Sequence, residues 1–287
     1  MAARSIPHVV GAADLLVLLG TPDVRVVDVR WRLGDPGAGR AAYLSGHIPG
    51  AVFADIDRDL ASTPGVRGRH PLPSPAAFEA LMMRLGIGDE TRVVAYDDQG
   101  GATAARLWFL LRYFGHETGA VLDGGVDAFR EAGHALESAE PRPVPASFHA
   151  RPRAELLLSR DDVAARIGQP RMLLLDARAP ERYRGEVEPI DARAGHIPGA
   201  VNAPYAENLR GGSFLPHHAL GARFRALGAD TLETAVYCGS GVTACHDLLA
   251  MAIAGLPDGR LYAGSWSEWS KDPSAPIATG ATGATGG

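Results

Sequence analysis

The chain reads as an α/β protein built twice: two copies of one domain, each a mostly parallel sheet flanked by helices. Three observations predict this. The first is an internal repeat, Gly46-His-Ile-Pro-Gly-Ala-Val52 returning letter for letter as Gly195-His-Ile-Pro-Gly-Ala-Val201. The second is a dense alternation of short apolar runs with helical patterns, which calls for parallel strands joined by crossovers. The third is composition. Over 287 residues, 46% are hydrophobic and mean hydropathy is −0.03, enough apolar material for packed cores and too much for a disordered chain.

Other landmarks recur in the same order, with an offset that shrinks slowly along the chain. Val27-Asp-Val-Arg30 pairs with Leu175-Asp-Ala-Arg178, and Val94-Ala-Tyr-Asp97 with Ala235-Val-Tyr-Cys238. Leu122-Asp-Gly-Gly125 pairs with Tyr262-Ala-Gly-Ser265. In the first copy the spacing predicts strands at 24–28, 93–96 and 120–122, with a helix from Pro75 to Leu85 stopped by Gly86. In the second copy it predicts strands at 172–176, 234–237 and 260–262, and a helix from near Thr243 to Gly255. The expected boundaries are therefore an N-terminal domain over 1–138, a proline-rich linker over 139–153 and a C-terminal domain over 154–277. The Gly/Ala/Thr repeat of 278–287 reads as a disordered tail.

Charge and motif content narrow the function. Acids outnumber bases 33 to 28, for a net charge of −5, and the two signs are interspersed, so no basic stripe invites nucleic acid. No apolar run approaches the ~18 residues of a membrane span. The N-terminus shows no apolar leader core, and two cysteines are too few for a disulfide framework. These features fit a cytoplasmic protein. Neither Cys-x-x-Cys nor His-x-x-x-His occurs, and His217-His218 lacks ligand spacing, so no metal or other cofactor is expected.

The copies differ where strand meets helix. Val236-Tyr-Cys238 runs into Gly239-Ser-Gly-Val-Thr-Ala244 and then a helix, a loop whose amides and helix dipole suit an anion. Gly239 and Gly241 allow a ligand close to the backbone, with Val242 and Thr243 completing the cradle. A cysteine at its mouth is positioned as a thiolate nucleophile. The bland alternative is a buried cysteine at a strand end; the strand-Cys-Gly-x-Gly-helix context favours chemistry. The first copy carries Asp97-Asp-Gln-Gly-Gly-Ala-Thr103 there, and a carboxylate cannot replace a thiolate in sulfur chemistry. Cys245, seven residues after Cys238, reads as packing rather than as a resolving thiol. His47 and His196 occur in both copies, which argues architecture.

Taken together, the repeated Gly-His-Ile-Pro-Gly-Ala, the loop Cys238-Gly-Ser-Gly-Val-Thr-Ala244 and the ending Gly264-Ser-Trp-Ser-Glu-Trp269 resemble the tandem rhodanese-domain sulfurtransferases. Gly239 and Ser240, in place of the Arg and Lys of thiosulfate-using members, resemble the 3-mercaptopyruvate branch. The resemblance implies a persulfide on Cys238 and a Ser–His–Asp constellation. Ser240 matches its serine; His70 and Asp57, both from the inactive copy, match the other two members. From the residues alone, His70 would pass for a solvated loop histidine. Arg182 matches the arginine for the substrate carboxylate. The family's second arginine follows a Glu-Pro pair, but here Glu188-Pro189 leads to Ile190, which leaves either Arg193 or Arg184 to supply the charge or a looser hold on mercaptopyruvate. Implied partners are a small sulfur donor and an acceptor: cyanide, a thiol or a thioredoxin-like protein. A thiosulfate:cyanide sulfurtransferase and a non-catalytic sulfur carrier are the alternatives. Phosphatases of this fold end a longer loop in arginine, which is absent here.

Overall fold

A computed structural model describes residues 6–281; the first five residues and the last six of the Gly/Ala/Thr tail lie outside the described residues. The chain forms two compact units. The first takes the chain through Ser62, then Leu72–Arg153 and Gly211–Phe214. The second takes Thr63–Pro71, Ala154–Arg210 and the chain from Leu215 onward. The segment 63–71, which precedes the second repeat in sequence by some ninety positions, is thus part of the second unit.

In the first unit, β1 (Val9–Val10), β2 (Val24–Asp28), β3 (Val52–Phe53), β4 (Arg92–Tyr96) and β5 (Gly119–Leu122) form a sheet in the order β1-β5-β4-β2-β3. Every pairing is parallel. The helices are α1 (Ala12–Leu18), α2 (Ala38–Ser45), α3 (Pro75–Arg84), α4 (Ala104–Tyr113) and α5 (Gly125–Glu131). The predicted strands and the helix after Pro75 are present. Ser74 caps that helix by accepting from the Ala77 amide at 3.2 Å, with proline in the first turn where no N–H is needed. Apolar residues of the inner strands and of α5, among them Val26, Val94, Leu122 and Phe129, pack into one core.

The stretch 139–153 is free of helix and strand, as its prolines demand, but it is laid against the first unit. Arg151 and Arg153 donate their amides to Phe114 and Tyr113 carbonyls at 2.9 and 2.8 Å, and buried Phe148 meets the Phe78 ring edge-on.

The second unit repeats the plan. Strands β6 (Leu157–Leu158), β7 (Met172–Asp176), β8 (Val201–Asn202), β11 (Glu233–Tyr237) and β12 (Arg260–Tyr262) lie in the order β6-β12-β11-β7-β8, again all parallel. Between β8 and β11 come two two-residue strands, β9 (Leu209–Arg210) and β10 (Ser213–Phe214), of which β10 falls in the first unit. The helices are α6 (Arg160–Arg166), α7 (Pro180–Arg184), α8 (His217–Ala226), α9 (Ala244–Ile253) and α10 (Ser265–Trp269). The expected tail begins too early. Ala278 exchanges two backbone hydrogen bonds with His196, both 2.9 Å, and the Gly280 amide donates to Arg184. Low side-chain complexity leaves backbone groups fully able to pair.

The repeated motifs do the same job in both units. Asp28 grips Arg30, whose Nη2 donates to the Gly46 carbonyl at 2.7 Å; Asp176 grips Arg178, whose Nη2 donates to Gly195 at 2.7 Å. His47 stacks on Tyr43 and His196 on Tyr183, each with Nδ1 bonded to that tyrosine's carbonyl at 2.8 Å. These histidines are architectural, as their presence in both copies suggests.

Candidate active site

Cys238 follows the last residue of β11, the central strand of its sheet, at the carboxyl edge where open α/β sheets take ligands. The loop then runs to Thr243, and α9 begins at Ala244. Two features hold the turn. Gly241 has φ +77°, and a Cβ there would lie 2.5 Å from the Ala263 carbonyl oxygen, so no larger residue fits. The start of α10 pins the other side: Trp266 and Ser267 donate their amides to the Cys238 and Gly239 carbonyls at 3.0 and 2.8 Å. Ser265 accepts from the Cys238 amide at 3.1 Å and donates its hydroxyl proton to Tyr262. It has φ +54°, unique among the described non-glycine residues, a strain of roughly 1–3 kcal/mol that its two hydrogen bonds offset.

The Cys238 thiol is buried, at 2% exposure, and its Sγ accepts from the Gly241 amide at 3.1 Å. Cys245 is fully buried and donates its thiol proton to the Gly241 carbonyl at 3.3 Å, which accords with packing. Val242 is buried, and Thr243 is the N-cap residue of α9.

Two residues on from Cys238, Ser240 Oγ lies 2.7 Å from His70 Nδ1, with both side chains buried. His70 reaches this point on the segment 63–71. Gly65 and Gly68 close a tight turn by exchanging backbone bonds, and the Arg69 amide donates to Ser267 Oγ at 3.0 Å. At Gly68 a Cβ would lie 2.7 Å from the Gly264 carbonyl, so only glycine lets the segment approach α10 so closely. Asp57, the third member of the expected constellation, lies in the first unit, where its carboxylate accepts from Trp31 Nε1 at 2.8 Å.

Arg182, in the last turn of α7, donates from Nη2 to Glu188 at 2.7 Å and to Asp191 at 3.3 Å. Asp191 also pairs with Arg69, and Glu188 is backed by Arg178 at 3.3 Å. Burial lifts the Asp191 carboxyl above the usual range despite the pull of Arg69. Burial also acts to raise Glu188, but Arg182 and the amides of Asp191 and Ile190 outweigh it, and its carboxyl is held low. Arg193 is engaged elsewhere: its guanidinium donates to the carbonyls of Ser270, Ala275 and Asp272, tying down the chain after α10. Arg184 pairs with Glu186 at the surface. Sequence reasoning passed over Arg69, Asp191 and Ser265. Arg69 could have been suspected from its place beside His70. Ser265 could have been suspected because its partner in the repeat is Gly125, which has φ +59°.

A model for the rhodanese-like domain matches residues 11–132 and 159–272. The chain belongs to the rhodanese family. It is 49% identical over 263 residues to a Pseudomonas aeruginosa protein named "Probable 3-mercaptopyruvate sulfurtransferase", covering 90% of this chain and 93% of that one. It is 39% identical over 256 residues to the thiosulfate sulfurtransferase of Bos taurus, covering 86% and 85%. Among solved structures, the 3-mercaptopyruvate sulfurtransferase SseA of Escherichia coli superposes with a TM-score of 0.80 at 34% identity, covering 92% of this chain and all of that one. The protein is a sulfurtransferase with two rhodanese domains, and among the described residues no helix is long and apolar enough to cross a membrane.

Proposed function

We propose that the protein moves sulfur from 3-mercaptopyruvate to a thiophilic acceptor through a persulfide on Cys238. The Cys238 thiolate attacks the donor sulfur, the carbon–sulfur bond breaks, and its electron pair remains on the carbon that becomes the pyruvate methyl. That carbon needs a proton, and the Ser240–His70 pair is a proton relay of the right kind beside the nucleophile. The single observation that carries this reading is the 2.7 Å contact between Ser240 Oγ and His70 Nδ1. Arg182 would bind the donor carboxylate, and the amides of Gly239 to Ala244 would hold the outer sulfur. Cyanide, a small thiol or a reduced thioredoxin-like protein then attacks that sulfur and regenerates the thiolate. The chemistry suits a reducing cytoplasm.

One observation favours a second reading, transfer from thiosulfate. The loop itself carries no cation at Gly239 or Ser240, which from sequence argued against a dianionic donor. Yet a Cβ on Gly239 would lie 3.0 Å from Arg69 Nη2 and 3.5 Å from Arg182 Nη1, so fixed positive charge does flank the loop. Comparing kcat/KM for the two donors, with cyanide as acceptor, decides between the readings. We expect 3-mercaptopyruvate to be preferred; a preference for thiosulfate overturns the donor assignment. Arg193 has no part in the proposed site, its donors being committed to backbone carbonyls.

A further inference from the structure

We propose that the second unit binds a short carboxylic acid with an apolar body, in a cavity beside the Gly195–Gly199 turn. The inference goes beyond sulfur transfer and does not depend on it. The cavity holds about 200 Å³. Its floor is Val163, Ile167, Met172 and Leu174, all packed in or against the core of that unit. The more exposed Arg166 and Gly199 complete the lining. Met172 is the first residue of β7, which runs parallel to β11. The cavity therefore lies toward the amino edge of the sheet, and Cys238 at its carboxyl edge.

The first unit shows what this place accommodates. There the Glu137 carboxylate accepts from the Gly50 amide at 2.7 Å, and its Oε1 stands 3.8 Å from His47 Nε2. Leu18, the last residue of the seven-residue helix α1, packs against the core. In the second unit both fillers are replaced. His196 exchanges backbone bonds with Ala278 as His47 does with Glu137, so Ala278 stands in the place of the glutamate. Arg166, the last residue of the seven-residue helix α6, stands in the place of Leu18. The groups that face the carboxylate are nevertheless kept. His196 is fully buried and its Nε2 has no hydrogen-bond partner. Among the described residues the Gly199 amide has none either, nor has the Gly168 amide, whose nitrogen lies 3.9 Å from where a Cβ on Gly199 would stand. Arg166 gives Nη1 to Asp162 and keeps Nη2 for a ligand.

An acid bound here puts its carboxylate where Glu137 puts its own, toward the Gly199 amide and His196 Nε2. Its alkyl group takes the space that Leu18 fills in the first unit, and burial of that group supplies the apolar part of the binding. His196 adds a signature. Its Nδ1 is bonded to the Tyr183 carbonyl, so Nδ1 carries the hydrogen of the neutral ring and Nε2 offers only a lone pair. A carboxylate cannot bond to that lone pair, so Nε2 must gain a proton as the acid binds. The ring is stacked on Tyr183, and the charged groups acting on it, Asp176 and Arg178, are of opposite sign. Burial holds the imidazole below its ordinary pKa, so the free protein is neutral there at about pH 7.

The test is calorimetric titration of the full chain with isovalerate at about pH 7, in buffers of different ionisation enthalpy, with neutral isovaleramide as the control. Isovalerate should bind saturably, take up a proton, and bind at least about 10-fold more tightly than the amide, the scale of one charge-assisted hydrogen bond. Ala278→Glu copies Glu137 into the second unit and supplies the carboxylate from within the chain. It should weaken isovalerate about 10-fold or more and leave sulfur transfer at the wild-type rate. If that variant does not fold, Arg166→Leu, which copies Leu18, should fill the cavity and weaken isovalerate on the same scale. Absence of saturable binding overturns the proposal, and so does equal affinity for acid and amide. Binding without proton uptake would deny His196 its part and overturn the site as drawn. Isovalerate affinity unchanged in the folded variant would place the acid elsewhere, such as at the Cys238 loop, and overturn it as well.

Discussion

Asp97 and Cys238 stand at the same point of two sheets with the same strand order, each just past the end of a central strand. In the first unit the loop closes on its own anion. Asp97 Oδ1 accepts from the amides of Gln99 and Gly101 at 2.8 and 2.9 Å. Its Oδ2 accepts from those of Thr103 and Ala104 at 2.8 and 2.9 Å, and from the Thr103 hydroxyl. In the second unit the shorter thiol reaches one loop amide, that of Gly241. Counted back from the helix start, Gly101, Thr103 and Ala104 correspond to Gly241, Thr243 and Ala244. The carboxylate oxygens extend one bond beyond the position that Sγ occupies. On our account they mark where the outer sulfur of a Cys238 persulfide sits. On our account the difference teaches how a cradle becomes inert: the site is kept and a fixed anion fills it.

The comparison breaks most severely at the nucleophile. Cys238→Ser should reduce sulfur transfer on the order of 10⁴-fold or more, while Cys245→Ser keeps most of the activity, as steady-state kinetics with cyanide would read. Substantial transfer by Cys238→Ser would mean that the loop is not the sulfur-carrying site.

A second difference lies one turn along the helices. Where α4 buries Arg106 and Leu107, α9 buries His246 and Asp247. Asp247 Oδ1 accepts from Asn208 Nδ2 at 2.6 Å, and burial pushes its carboxyl up to about 7. Between about pH 4 and pH 7 the unfolded chain has released this proton and the folded chain keeps it, so stability falls as pH rises through that window. The loss is at most about 4 kcal/mol. Asp247→Asn keeps the oxygen that Asn208 needs and should flatten that slope in denaturant titrations run from pH 5 to pH 8. An unchanged slope would assign the pH dependence to other groups.

His70→Ala should lower kcat with 3-mercaptopyruvate about 10²-fold, the usual scale of a general acid–base partner. With thiosulfate, whose sulfite leaving group needs no proton on carbon, the loss should be much smaller. Equal losses would mean that His70 only holds the segment 63–71 in place.

The smallest effect belongs to the inert loop. Asp97→Asn turns an amide NH2 toward donors that now meet an oxygen, and should destabilise the first unit by about 2 kcal/mol. Faster amide exchange in α4 and the loop before it would show this, with transfer at Cys238 left near wild type. Protection unchanged from wild type would deny Asp97 its role as the internal anion.

Much of this was legible because repeats write the same constraint twice. The Asp-x-Arg pairs and the Gly-His-Ile-Pro-Gly turns declare themselves by recurring, and the strand runs are apolar because both sheet faces are covered. The nucleophile we propose showed through as a break in the repeat, Cys238 against Asp97. The pairing of Arg69 with Asp191 did not show, because it depends on a turn that carries residues 63–71 into the second unit, and no periodicity encodes that. The expected use of Arg193 had the opposite cause: a cation near a motif looks available until its carbonyl partners are seen. The tail at Ala278 misled for a related reason, since its pairing with His196 is made entirely by backbone.

The most direct test of the account is the mass of the protein after exposure to 3-mercaptopyruvate without acceptor, followed by peptide mapping. The account predicts one added sulfur (about 32 Da) on the peptide carrying Cys238, removed by cyanide and absent from Cys238→Ser. Sulfur found on Cys245 in the wild-type protein, or no sulfur retained while pyruvate is released, would contradict it.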